Sequence, residues 1–241
     1  MIKETGPLEE KKTKIFIMNI LPLSDPLLLG NYLSDISEER QEKVRRLKTA
    51  QAKAMTTGAE LLLRKALRQN YDINQPLTIV KGEHGKPRIQ GCPGIHFNLS
   101  HSGDYAVCAV SSHPVGVDIQ KMAEPNLKLA KRFFATKESD WLFSLPADQQ
   151  RQAFYDLWVI KESFMKYTGK GFGLPMNAFA AKILGHYPDD VEIKINQDEK
   201  TESVVLKKYD YLDNYALWCC SDHNQFEENL GWVVIKEKSI E

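Results

Sequence analysis

No apolar run in the 241 residues approaches the roughly 20 that a membrane-spanning helix needs, which argues against a membrane protein. Met1 to Lys14 is charged and lacks a signal-peptide apolar core, so a cytoplasmic protein is expected, with residues 1–12 as a loose polar leader. Cysteine is scarce. Cys92, Cys108, Cys219 and Cys220 form no C-x-x-C pair, which points to reduced, mostly buried thiols and away from a zinc site. An excess of either charge is also missing, since 32 Lys and Arg face 32 Asp and Glu. With no whole-protein field to attract nucleic acid, any anion site must be local. Nor is there a direct repeat between the two ends of the chain. The run Gly169-Lys170-Gly171-Phe172-Gly173 lacks Walker spacing and follows a helix, so it is a weak match to a phosphate loop.

What is present is an ordinary globular composition, 42% hydrophobic, long enough for one large domain or two small ones. Ile15-Phe16-Ile17-Met18 reads as a buried first strand. Ser37-Glu38-Glu39-Arg40 reads as a helix start with serine as N-cap, and a long helix follows from about Ala50 to Asn70. Arg40, Lys43, Arg45 and Arg46 make a basic cluster, for which a solvated helix face is the simpler account on these residues alone. Short strands are expected at Leu77–Val80, at Ile95–Ser100 and at Tyr105–Val110, and the chain breaks near His113. Beyond it, Val115 to Gln120 alternates: Val115, Val117 and Ile119 face one side, Gly116, Asp118 and Gln120 the other. An aspartate in such a strand needs a metal ion or a buried base as partner. Helices are expected at Leu127–Phe134 and Lys137–Leu145. Four later segments, Phe179–Leu184, Val191–Ile195, Ser203–Lys207 and Tyr215–Cys220, read as successive strands of one antiparallel sheet, and Leu230–Ile235 as a further strand.

The sharpest stretch is Trp158-Val159-Ile160-Lys161-Glu162-Ser163-Phe164-Met165-Lys166. Phe154, Leu157, Trp158, Phe164 and Met165 recur at helical spacing, Glu162 and Lys166 are neighbours on one flank, and Lys161 falls inside the apolar stripe. Two bases and a carboxylate beside a hydrophobic seam suit a metal–phosphate site. An ordinary i,i+4 ion pair with a snorkelling lysine is the simpler account of these residues taken alone.

Taken together, Gly85-Lys86-Pro87, Phe97-Asn98-Leu99-Ser100-His101-Ser102, Gly116-Val117-Asp118 and Trp158-x-x-Lys161-Glu162-Ser163-x-x-Lys166 resemble the Sfp-type 4′-phosphopantetheinyl transferases, in order and in spacing, from about Ile15 to Cys220. The resemblance implies an α+β fold of two similar halves with pseudo-two-fold symmetry and coenzyme A between them. With the break near His113, residues 1–112 would form the adenine and 3′-phosphate side, and 113–241 the pyrophosphate side and the docking face for a carrier protein. It implies Mg²⁺-dependent transfer of phosphopantetheine from coenzyme A to a serine of an acyl or peptidyl carrier protein, with adenosine 3′,5′-bisphosphate released and the enzyme a monomer. Asp118 and Glu162 match the metal-ligand carboxylates, and Lys166 the pyrophosphate lysine, with Lys161 beside it. Lys86, His101, Arg40 and Lys43 match positions around the 3′-phosphate, and Ser100 and Pro87 match positions near the adenine. Glu138 matches a glutamate proposed to deprotonate the acceptor serine, although a helix-start carboxylate explains it equally well. Gln120 departs from the pattern, because many members carry a glutamate there; its amide could still be a third metal ligand, without charge. That departure leaves open a module that binds coenzyme A or a carrier protein without turnover.

Overall fold

The computed structural model describes residues 11–183, 191–195, 201–202 and 204–236; most of the expected leader, Leu184 and Ser203 lie outside them. Strand β1 (Lys14–Asn19) is followed by helices α1 (Pro26–Tyr32), α2 (Glu38–Arg46) and α3 (Ala50–Tyr71). A small hairpin of β2 (Ile79–Lys81) and β3 (Pro87–Ile89) precedes a long one, β4 (His96–Ser102) and β5 (Tyr105–Ser111). Next comes β6 (Val115–Lys121), then helices α4 (Lys128–Phe133), α5 (Thr136–Ser144) and α6 (Ala147–Thr168). The chain continues through β7 (Phe179–Ile183), β8 (Val191–Ile195), β9 (Thr201–Glu202), β10 (Val205–Lys208), β11 (Tyr215–Ser221) and β12 (Gly231–Val233).

The same topology occurs twice. One sheet has its strands in the order β12-β1-β5-β4 and the other in the order β10-β11-β6, so β1, β5 and β4 correspond to β6, β11 and β10. Each half opens on one strand, runs through short helices into a helix of 22 residues, and closes on an antiparallel pair. The α+β architecture of two similar halves is therefore present in the connectivity, although no sequence repeat announces it. The four late strands do not make one sheet as expected: β7, β8 and β9 pair separately from β10 and β11. Sequence alternation predicts strands but not their partners, and here β11 pairs with β6 from far upstream.

Three cores stack between the layers. Phe16, Met18, Ala106 and Cys108 pack with Leu62, Leu63 and Leu67 of α3, and Ala216, Trp218 and Cys220 pack with Leu157, Ile160 and Phe164 of α6. Between the sheets lie Ile15, Ile17, Val107 and Ala109 from the first half, with Val117, Ile119, Leu217 and Cys219 from the second. Buried on both faces, β1 and β11 read as continuous apolar runs. The C-terminal β12 returns to the first half, pairing in parallel with β1.

Candidate functional site

At Gly116 the second sheet meets α6. A Cβ there would overlap the Ser163 carbonyl oxygen and the Tyr167 backbone nitrogen, so only glycine lets the helix backbone approach so closely. Two residues along the same face of β6, Asp118 consequently stands against the flank of α6 that carries Lys166. The Lys166 ammonium donates to Asp118 Oδ1 at 2.6 Å and to the Val117 carbonyl at 3.2 Å. Asp118 is 2% exposed, and its Oδ1 also accepts the Ser100 hydroxyl at 2.6 Å. The buried aspartate thus has the basic partner that its position demanded.

Glu162, one turn before Lys166, shares this group. Burial pushes its carboxyl above the usual carboxylate range, and the Asp118 charge adds to the shift while Lys166 opposes it. Two carboxylates feel each other here with one lysine between them. That arrangement is short of positive charge and can take a cation. Gln120 turns its amide nitrogen to Asp118 Oδ2 at 3.3 Å and its oxygen to the Ser102 hydroxyl at 3.3 Å. His101 lies at the rim of this group. The residue is exposed overall, but crowding around the ring, with Lys166 and Lys43 nearby, holds the imidazole below its usual range against the pull of Asp118.

Arg40 reaches toward Glu60, with Nε 3.7 Å from Oε2. Glu60 is 3% exposed and also accepts the Ser37 N–H and hydroxyl and the Arg64 guanidinium, so it fixes the start of α2 on α3. Lys43, one turn on, is exposed. Lys86 bridges the halves, donating to Val115 O at 3.1 Å and Tyr167 O at 2.8 Å, and burial lowers its ammonium to about 8. Pro87 opens β3 beside it. The two residues line a cavity of about 600 Å³ together with His96, Pro114, Tyr167 and Lys170.

Two expected site residues belong elsewhere. Lys161 is fully buried, 2.8 Å from Glu138 Oε2 and 2.7 Å from the Phe179 carbonyl, with its ammonium over the Phe179 ring. It does not stand beside Lys166, because residues five apart on an α-helix point about 140° away from each other. Glu138 accepts the Ala135 and Ala181 N–H groups as well, so both its oxygens are held in the core and neither is open to an acceptor serine. A lysine inside an apolar stripe needs a reason, and the reason is this buried ion pair. Ser100, expected near a base ring, is buried with its hydroxyl on Asp118. The sequence carries no signal for the roles of Glu60 or of Asn98 and Ser102 on β4, because their partners lie on other elements.

Residues 114–220 match the family model of the 4′-phosphopantetheinyl transferase superfamily, and residues 28–113 match that of the 4′-phosphopantetheinyl transferase N-terminal region. A 4′-phosphopantetheinyl transferase of Bacillus subtilis is 38% identical over 207 residues, covering 85% of this chain and 90% of the relative. The 4′-phosphopantetheinyl transferase Sfp of Bacillus subtilis strain 168 is 33% identical, covering 86% and 91%. The transferase gsp of Aneurinibacillus migulanus is 36% identical, covering 79% and 78%. The chain belongs to the 4′-phosphopantetheinyl transferase family.

Proposed function

We propose that this enzyme transfers the 4′-phosphopantetheine group of coenzyme A to a serine of an acyl or peptidyl carrier protein and releases adenosine 3′,5′-bisphosphate, with Mg²⁺ as cofactor. The observation that carries this reading is the Asp118–Glu162–Lys166 group, built where β6 and α6 meet in a chain of this family. Among the described residues no three His, Cys, Asp or Glu side chains converge as a self-sufficient metal site. Mg²⁺ needs no such cage, since one or two carboxylates together with substrate phosphate oxygens and waters complete its octahedron. Asp118 and Glu162 fit that requirement and would hold it, Gln120 standing next to them. When bound, Mg²⁺ neutralises charge on the pyrophosphate as the phosphoryl group departs.

The chain's own groups do the rest. Lys166 sets a positive charge against the pyrophosphate while pairing with Asp118. Lys43, His101, Arg40 and Lys86 receive the 3′-phosphate end of coenzyme A, and Pro87 lies at the adenine. Among the described residues no helix is long and apolar enough to cross a membrane, and the reading is of a cytoplasmic monomer. The carrier docks beside α4, where Lys128, Lys131 and Arg132 are exposed, with Arg132 over the Phe133 ring and Lys131 over that of Phe143. Mass spectrometry of apo carrier proteins incubated with the enzyme, coenzyme A and Mg²⁺ tests the reading. At least one carrier should gain a phosphopantetheine. A panel of acyl and peptidyl carriers left unmodified would contradict it.

A further inference from the structure

The two sheets meet edge to edge. β4 is the last strand of one and β6 of the other, so the N–H groups of every second residue of β6 point away from β11, toward β4. Val117 and Ile119 are fully buried, and orphaned N–H groups there would be costly. They are satisfied by side chains and not by backbone. Asn98 Oδ1 accepts from Val117 N at 2.9 Å, Ser100 Oγ from Ile119 N at 3.4 Å, and Ser102 Oγ from Lys121 N at 3.0 Å. Three short polar residues at alternate positions of one strand thus meet three alternate N–H groups of the other.

The serine rungs do more than the asparagine rung. A hydroxyl has one proton. With the Ile119 N–H pointing at its lone pair, Ser100 can give that proton only outward, and it gives it to Asp118 Oδ1. Ser102 repeats the arrangement toward Gln120. Oδ1 of Asp118 is then held by Ser100 and Lys166, while among the described residues Oδ2 carries a single long bond, from Gln120. One strand of the first half therefore orients a carboxylate of the second.

We propose that Ser100 is a positioning residue for Asp118, a hydroxyl from β4 that aims the carboxylate of β6 and leaves its other oxygen for the cation. The proposal rests on the reading of Asp118 as a metal ligand. Partners that orient metal ligands typically contribute 10–100-fold to metal affinity.

The test is a Mn²⁺ titration of the coenzyme A-loaded protein, followed by electron paramagnetic resonance with no carrier present. Ser100→Ala should weaken Mn²⁺ about tenfold, and Ser100→Thr, which keeps the hydroxyl, should restore it. Asn98→Ala removes a rung of the same ladder that touches no carboxylate; it should lower the melting temperature and leave Mn²⁺ affinity unchanged. Coenzyme A affinity measured without metal should be the same in Ser100→Ala as in the parent. If Ser100→Ala does not fold, Ser100→Cys fills the same space with a poor donor and takes its place. Unchanged Mn²⁺ affinity in Ser100→Ala while Asp118→Ala loses it would overturn the proposal, as would equal losses in Ser100→Ala and Asn98→Ala. A defect confined to metal-free coenzyme A binding would overturn it as well, placing Ser100 at the nucleotide. Full Mn²⁺ affinity in Asp118→Ala would instead remove the metal-ligand reading itself.

Discussion

Asp118 sits 2% exposed in the middle of a strand because three side chains, Ser100, Lys166 and Gln120, surround its carboxylate. A charged group so placed is stable only while its partners remain, and it is available for chemistry because one oxygen is lightly used. Lys86 shows the same logic with the sign reversed. Burial lowers its ammonium from 10.5 to about 8, so between those values the unfolded chain binds a proton that the folded one does not. Its contribution to stability therefore improves as pH rises from about 8 toward 10.5, while the charge proposed to meet a phosphate is lost as pH rises through about 8. Coenzyme A affinity, followed by calorimetry, should accordingly fall as pH rises through about 8. In Lys86→Met that limb should flatten and affinity at neutral pH should be lower. An identical pH profile in the variant would show that Lys86 does not face the ligand.

The site depends on how closely α6 lies against β6, and one glycine controls that distance. Gly116→Ala forces its Cβ into the Ser163 carbonyl and the Tyr167 backbone. Backbone, unlike a side-chain tip, cannot swing aside, so the expected loss is about 3 kcal/mol or more in denaturant melts, with turnover falling as Lys166 moves from Asp118. A variant with parental stability and activity would mean that the helix tolerates displacement. On the other side of α6, the Lys161–Glu138 pair fixes the rotation of the helix from within the core. Breaking a buried pair by removing one partner typically costs about 3–5 kcal/mol. Lys161→Met should lower stability on that scale, while Glu138→Gln should melt earlier yet keep the kcat of its folded fraction. A large kcat loss in Glu138→Gln without destabilisation would restore its role as a base. Much of this was legible beforehand. The alternation of β6 placed Asp118 and Gly116 on one face, and the i,i+4 spacing placed Glu162 beside Lys166. Three things were not: that Lys161 points the other way, that β4 lends its serines to β6, and that β11 and β12 pair with distant strands. Each depends on packing between elements far apart in sequence, on which local periodicity carries no information.

For the whole molecule, two halves of like topology share an apolar layer, and the polar rungs from β4 tie β6 to them at the open edge. The groups assigned to the nucleotide end, Arg40, Lys43, Lys86 and His101, lie in the first half, and those assigned to the pyrophosphate, Asp118, Glu162 and Lys166, in the second. Coenzyme A bound between them would be held by both. Because 32 basic and 32 acidic residues cancel, attraction of an acidic partner falls to local patches such as Lys128, Lys131 and Arg132. Reversing Lys128 and Lys131 to Glu should raise the KM for the carrier severalfold and flatten its salt dependence, with coenzyme A affinity untouched. An unchanged carrier KM would move docking to another surface. The central claim, that transfer runs through the carboxylates at the β6–α6 contact, is tested most directly by the single-turnover rate of carrier modification in Asp118→Ala and Glu162→Ala, measured by mass spectrometry at saturating coenzyme A and Mg²⁺. Each folded variant should be slower by roughly 10²–10³-fold, the loss of about 3–4 kcal/mol that follows removal of one preorganised electrostatic group. A folded variant that modifies the carrier at the parental rate would contradict it.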